Sequence, residues 1–134
     1  MAVWGLINPV RNLRELASAR RGFQSDIAFR RTQDGPALCE SLLRCYAGGK
    51  PYLYDPFNAT RLVQFGKLDE TSIVEGILQC RYSVIQLDSA LGADEVQKER
   101  FTPRMVDAIG RQYAPALCNA ASVMYVPRTA SNPP

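Results

Sequence analysis

The chain has 134 residues, 46% of them hydrophobic and 22% charged, a composition typical of a globular protein and not of a disordered one. It has no uninterrupted apolar run of about 18 residues, the length that would span a membrane. It also has no histidine, which excludes the commonest general base, the commonest metal ligand and every Ser-His or Cys-His nucleophile pair. We therefore expect one domain, with no metal and no cofactor.

The net charge of +3 is concentrated near the start of the chain. Residues 1–34 carry six arginines and three acidic residues, whereas the remaining residues carry ten cations and ten anions. Three interpretations compete: a solvated helix face, a juxtamembrane face near anionic lipid, or a phosphate-binding face for nucleic acid. The solvated face is the default. The chain has only three lysines, and no lysine-rich interleaving accompanies the arginines, so no nucleic-acid partner is expected.

Residues 1–10 are apolar and are interpreted as a terminal stub, either a mobile terminus or the end of a membrane helix. Asn8 and Pro9 predict a helix start, with Asn8 as the cap. The helix that follows has an apolar stripe, interrupted by Gly22, and arginines on its other side. The stripe consists of Leu13, Leu16, Ala17, Phe23 and Ile27. Turn residues at positions 34–36 predict its end.

Short elements follow in alternation. Residues 36–40 predict a first strand, residues 41–47 a brief helix ended by two glycines, and residues 51–54 a second strand. Asn58 is predicted to cap a helix over residues 59–65.

The second half of the chain continues this pattern. Asp69 is predicted to cap a helix, and residues 82–87 form the clearest strand because they are apolar and rich in β-branched side chains. Residues 88–99 have no apolar period and predict a loop. Thr102 begins another helix, and residues 113–120 and 123–127 predict a hairpin.

The order of elements predicts an α/β fold: a small, partly parallel sheet flanked by helices and ending in a β-hairpin. Residues 11–128 are assigned to a single domain that opens with the arginine-rich amphipathic helix. Residues 129–134 are expected to be a disordered tail.

Polar side chains follow the predicted parallel strands, at the edge where ligands bind in open parallel sheets. They are Glu40 and Ser41, then Asp55 and Asn58, then Asp88. Carboxylates at one edge suit a metal, a sugar hydroxyl or acid–base work. The alternative is that Asp55 and Asn58 cap a helix and bind no ligand. The two interpretations are nearly level for Asp55, and the structural one is favoured for Asp88.

None of the four cysteines forms a C-x-x-C pair, which excludes zinc-ribbon and thioredoxin-type motifs. Cys80 and Cys118 lie in apolar surroundings and are expected to be buried. The redox state of Cys39 and Cys45 is left open by the sequence. In an oxidising compartment they could close a short disulfide loop, whereas in the cytosol they would be free thiols.

Two segments, DGPALCESLL at residues 34–43 and AGGKPYLYDPF at residues 47–57, resemble a known family. They look like the soluble C-terminal domain of bacterial polytopic membrane glycosyltransferases of the C-type, polyprenyl-phosphate-sugar-dependent, mannosyltransferase-like class. RFTPRM at residues 100–105 and VMYVPR at residues 123–128 are similar to the closing helix and strand of that domain. The resemblance covers about residues 23–128.

The resemblance implies a domain on the periplasmic face of the bacterial inner membrane, packed against the membrane-embedded portion of the same polypeptide. The family's catalytic carboxylates lie in loops between early membrane helices, and no position here matches them, so no catalytic residue is assigned. One departure is that the arginines of the first helix would lie on the translocated side, against the positive-inside tendency.

Three functional hypotheses follow. The leading one is a non-catalytic accessory domain that assists binding of lipid-linked sugar or acceptor, with Glu40, Asp55, Asn58 and Arg61 as candidate ligand-binding residues. The second is a free-standing interaction module that contacts its partner through the arginine-rich helix. The alternative to a periplasmic localisation is the cytoplasm. The third is a small histidine-free enzyme that uses Glu40, Asp55 and Asp88.

Overall fold

The computed structural model describes residues 2–49, 55–93, 95–119 and 122–128. Six helices and four strands lie in these ranges, in the order α1 (Ala2–Arg31), β1 (Ala37–Cys39), α2 (Leu42–Ala47), α3 (Pro56–Gln64), α4 (Glu70–Leu78), β2 (Val84–Leu87), α5 (Glu95–Arg100), α6 (Pro103–Gln112), β3 (Tyr113–Asn119) and β4 (Ser122–Pro127). The strand predicted over residues 51–54 and the tail predicted over residues 129–134 lie outside the described residues.

The strands form one mixed sheet with the order β1-β2-β4-β3. β1 and β2 are parallel, with Leu38 opposite Ile85. β2 pairs antiparallel with β4, and β4 pairs antiparallel with β3 as the closing hairpin. The predicted α/β class, the partly parallel sheet and the terminal hairpin are confirmed.

Side chains alternate between the two faces of the sheet, as they must in a β-strand. One face meets α3, α4 and α6 and encloses the larger apolar core. From the sheet this core takes Leu38, Ile85, Leu87, Val123 and Tyr125. The other face meets α1 and α2 over a smaller core that includes Cys39, Cys45, Val84 and Met124. The central strands are therefore covered on both sides.

Local capping chemistry explains where three of the described helices, α3, α4 and α6, start. The Asp69 carboxylate accepts a hydrogen bond from Thr71 N at 3.0 Å, and the Thr102 hydroxyl accepts one from Met105 N at 3.3 Å. The predicted starts of α4 and α6 are thus confirmed. α2 differs, because its cap residue Ser41 makes no side-chain capping bond.

Two predictions about the positions of helices are wrong. α1 begins at Ala2 and runs through Pro9, because a proline removes one helical hydrogen bond without preventing the turns on either side. α5 occupies part of the predicted loop. Its Gln97 is buried, accepts from Gly92 N at 2.7 Å and donates to the Ser89 carbonyl at 3.4 Å, and these polar bonds within the segment are not visible as an apolar period.

The predicted apolar stripe of α1 is wrong in its first half. Leu13 and Leu16 are 65% and 66% exposed, whereas Phe23 and Ile27 are half-buried. Near its carboxyl end the helix meets the body through completely buried Asp26 and Arg30, and through Phe29, which packs against the smaller core. Among the described residues, no helix combines the length and the apolarity needed to cross a lipid bilayer.

Candidate functional site

Two of the predicted edge carboxylates meet at the carboxyl ends of the parallel strands. Glu40 follows β1 and Asp88 follows β2, and the guanidinium of Arg100 on α5 bridges them. Its Nη1 atom lies 3.1 Å from Glu40 Oε1 and 3.2 Å from Asp88 Oδ2. Glu40 Oε2 also accepts a hydrogen bond from Asp88 N at 2.7 Å. We call Glu40, Asp88 and Arg100 the edge cluster.

Gln86 of β2 closes the edge cluster from the sheet side. Its Nε2 donates to Asp88 Oδ1 at 2.9 Å and to Ser122 Oγ at 3.3 Å. Its Oε1 accepts from Ser41 N at 3.0 Å. Because these acceptors and donors satisfy one another, the edge cluster has the character of a structural network.

Burial raises the pKa of Glu40 above its ordinary value, since the side chain is only 2% exposed. The negative charge of Asp88 raises it further, whereas the hydrogen bond from Asp88 N and the cation of Arg100 oppose the shift. Among the described residues, no group of three or more His, Cys, Asp or Glu side chains is arranged to hold a metal ion.

Asp55 caps α3 and does not join the edge cluster. Its Oδ1 accepts from Phe57 N at 3.0 Å and its Oδ2 accepts from Asn58 Nδ2 at 2.7 Å. The prediction that Asn58 caps this helix is therefore wrong, because Pro56 takes the first helical position and places the cap at Asp55. The Asp-Pro pair was the sequence signal for this start.

The exposed face of α3 has a different chemistry. The Arg61 guanidinium lies over the Phe57 ring, 5.5 Å from its centroid. The two side chains line a shallow cavity of about 230 Å³ together with Gln64, Phe65 and Glu99 of α5. Of the four candidate ligand-binding residues, Arg61 alone lines this cavity, Asp55 and Asn58 bond to each other at the start of α3, and Glu40 bonds in the edge cluster.

A second polar cluster, not predicted from the sequence, joins α1 to α2 and β3. Buried Asp26 forms an ion pair with Arg44 Nη1 and accepts from Asn119 Nδ2 at 2.7 Å. Arg30 donates from Nε to the Asp26 carbonyl at 3.3 Å. We call Asp26, Arg30, Arg44 and Asn119 the α1 anchor. Its members come from three elements, and only the Asp26–Arg30 spacing of four residues was visible in the sequence.

Burial lowers the pKa of Arg30 to about 10. Asp26 favours the charged form and partly offsets this shift, whereas nearby Arg44 lowers the pKa further. The Nη2 atom of Arg30 is buried and has no hydrogen-bond partner among the described residues. The anchor therefore carries an unused donor beside its cations.

A disulfide joins Cys39 at the end of β1 to Cys45 of α2, with 5.9 Å between the two Cα atoms. Both residues are 1% exposed. Cys80 and Cys118 are free; Cys80 is half-buried and Cys118 is exposed, so the expectation that both are buried is wrong. Cys118 lies on the edge strand β3, where alternate side chains face solvent.

Comparison with known proteins yields no match: no family model, no curated protein and no solved structure is similar to this chain.

Proposed function

We propose that this chain is a non-catalytic extramembrane domain of a membrane glycosyltransferase-like protein. In this proposal it lies on the periplasmic face of the inner membrane, packs against the membrane-embedded portion of the same polypeptide, and assists binding of lipid-linked sugar or acceptor. The proposal extends the resemblance carried by residues 34–43 and 47–57.

The observation that best supports a contact role is the exposure of α1. Its 30 residues correspond to about 45 Å of helix at the standard rise. Every side chain from residue 12 to residue 20 is exposed, including Leu13 and Leu16. A helix exposed on all sides gains little from tertiary packing, so a partner surface is the natural source of its stability.

The bonding of the acidic side chains supports the non-catalytic part of the proposal. Glu40 and Asp88 are bound to Arg100, and Asp55 is bound to backbone and side-chain donors at the start of α3. A general acid or base must reach the proton that it transfers, and these carboxylates are directed at partners inside the domain.

The exposed face of α3 supports the contact with lipid-linked sugar. Arg61 offers a guanidinium, the donor group best suited to phosphate oxygens. Gln64 and Glu99 add polar groups for hydroxyls, and Phe57 and Phe65 are 40% and 68% exposed. A sugar phosphate on a lipid carrier presents both phosphate oxygens and hydroxyls.

The first test is turnover. The purified chain is incubated with polyprenyl-phosphate-linked sugars, and we expect no transfer or hydrolysis. Sugar release would contradict the proposal and favour the small enzyme, in which case Glu40→Gln should abolish the release.

The second test is binding to vesicles that contain a polyprenyl-phosphate sugar. Arg61→Gln should weaken binding by about tenfold, the loss expected for a charge-assisted contact of roughly 1.4 kcal/mol. Arg111→Gln is the matched control, because Arg111 is exposed on α6 and pairs with Asp107. Equal binding by both variants would exclude the α3 face as the contact.

The exposure of α1 equally favours the second hypothesis, a free-standing interaction module that docks through this helix. The coding sequence distinguishes the two. A reading frame that continues upstream of Met1 into several hydrophobic helices favours the membrane-protein domain. A functional start codon at Met1 favours the free-standing module.

A further inference from the structure

Arg30 connects the α1 anchor, of which it is a member, to the disulfide. Its Nη1 atom lies 3.4 Å from Cys39 Sγ. Arg30 is completely buried, and its Nη2 atom has no hydrogen-bond partner among the residues that the structure describes. A buried guanidinium of this kind favours a nearby anion, because an unpaired charge and an unused donor both cost free energy away from water.

Charged groups approach Cys39 from α1 and α2. Arg30 of α1 contacts Cys39 Sγ, and Asp26 of α1 and Arg44 of α2 interact electrostatically with Arg30. The Asp26 carboxylate is shared, since it pairs with Arg44 and also accepts from the neutral Asn119. Arg30 and Arg44 thus both interact with Asp26 near the disulfide.

The rest of the Cys39 surroundings is apolar or directed elsewhere. Val84 of β2 and Met124 of β4 belong to the same smaller core as Cys39. The neighbouring carboxylate, Glu40, bonds to Asp88 N and Arg100 and belongs to the edge cluster. A negative charge formed on Cys39 would therefore meet Arg30 first.

We propose that the Cys39–Cys45 disulfide is a reversible redox site, in which Arg30 stabilises the Cys39 thiolate that forms on reduction. The reductant is a small or protein dithiol. Its thiolate attacks the sulfur of Cys45, the S–S bond breaks, and the electron pair leaves on Cys39 beside Arg30. Cys39 is the better leaving group because a thiol with a lowered pKa leaves faster.

The second half of the exchange accounts for the two electrons and the two protons of the reductant. The other thiol of the reductant attacks the mixed disulfide and displaces Cys45, so the reductant becomes a disulfide after giving up two electrons. Of the two protons that the dithiol releases, one is taken by Cys45 and the other goes to solvent while Cys39 remains a thiolate.

Access to Cys45 requires α2 to open, because both sulfurs are shielded in the closed structure. α2 is suited to this. It has six residues, its cap Ser41 makes no side-chain capping bond, and Leu43 and Tyr46 are exposed. Helices this short have little stability of their own. Opening of α2 is a local event that leaves the larger core on the opposite face untouched.

The test measures the thiol–disulfide equilibrium of the full chain against dithiothreitol, in a Cys80→Gly/Cys118→Ser background that removes the free thiols. Cys80→Gly suits the positive φ of 53° at that position. Measured at about pH 9.5, above the ordinary cysteine pKa of about 8.5, Arg30→Gln should lower the equilibrium constant for reduction about tenfold, which corresponds to one pKa unit at the leaving thiol. Arg30→Lys should remain close to the parent. Arg31→Gln, at an exposed neighbouring position, is the control and should equal the parent.

A second measurement needs no comparison of stability between variants. In the same background with Cys45→Ser, the ultraviolet absorbance of the Cys39 thiolate is titrated against pH. We expect a pKa at least about one unit below the ordinary cysteine value, restored towards that value by Arg30→Gln. An ordinary or raised pKa for Cys39, or an equilibrium constant that Arg30→Gln and Arg31→Gln leave equally unchanged, would overturn the proposal.

Discussion

The two faces of the sheet are held by different forces. The face that meets α3, α4 and α6 is an apolar core in which side chains such as Ile77, Met105 and Ile109 are fully buried. The face that meets α1 and α2 has a smaller apolar core, and the α1 anchor and the disulfide supplement it. Apolar packing is distributed over many contacts, whereas the polar face depends on a few specific partners. Single substitutions should therefore act differently on the two faces.

The largest expected effect is at Asp26. Asp26→Ala leaves the cations of the α1 anchor without their carboxylate and should cost about 3–5 kcal/mol in the free energy of unfolding. Asp34→Ala, at an exposed position in the turn after α1, should change it by less than about 0.5 kcal/mol. Denaturant titration measures both.

Amide hydrogen exchange locates the effect. In Asp26→Ala, exchange should rise mainly in residues 23–31 and in α2, and less in α4 and α6, because local opening follows the loss of the anchor. An equal rise on both faces would show that the two faces unfold as one unit, and the comparison between them would fail.

The next largest effect is expected in the apolar core. Met105 is completely buried, and Met105→Ala should cost about 2–5 kcal/mol through lost burial and a cavity. Leu43→Ala removes a side chain of similar size from α2. Because Leu43 is 65% exposed, the cost in the free energy of unfolding should stay below about 0.5 kcal/mol. A large cost at Leu43 would reveal packing on α2 that its exposure does not indicate.

Helix caps give a smaller, matched contrast between the faces. Thr102→Ala removes the hydroxyl that accepts from Met105 N and should destabilise the protein by about 1 kcal/mol. Ser41→Ala at the start of α2 should have almost no effect, since the Ser41 side chain makes no capping bond. Thermal unfolding of the two variants is the measurement. Equal shifts in Tm would mean that α2 depends on its cap and not on the disulfide and the ion pair.

The sequence predicted those parts of the fold that local chemistry determines. β2 is apolar and rich in β-branched residues, and the starts of α4 and α6 are marked by Asp69 and Thr102. α5 was not predicted, because its segment has no apolar periodicity. Its buried residue is the polar Gln97, which bonds to the backbone of Gly92 and Ser89.

The same distinction applies to the candidate sites. Glu40 and Asp88 were placed at one edge because the carboxyl ends of parallel strands meet there. Arg100, which binds both, belongs to the helix that the sequence did not predict. The α1 anchor was missed for a stronger reason: Asp26 and Arg30 are residue types usually found on a helix surface, and only the tertiary partners on α2 and β3 explain their burial.

The smallest expected effect is a pH dependence at Glu40, the buried acid on the apolar side of the sheet. Its folded pKa lies above the ordinary value of 4.5, chiefly through burial. Between pH 4.5 and the higher folded pKa, the folded state binds the proton of Glu40 more tightly than the unfolded state does. The stabilising contribution is therefore fully present below pH 4.5 and is lost as the pH rises through the folded pKa.

The stability of the parent relative to Glu40→Gln should fall across this window and then level off. Glu75→Gln, at an exposed position on α4, should follow the parent with a constant offset. Denaturant titrations from below pH 4.5 to neutral pH measure these differences. If the relative stability of Glu40→Gln moved in the opposite direction, the bonds from Arg100 and Asp88 N would outweigh the burial of Glu40, and this acid would resemble Asp26, the ion-paired buried acid of the opposite face.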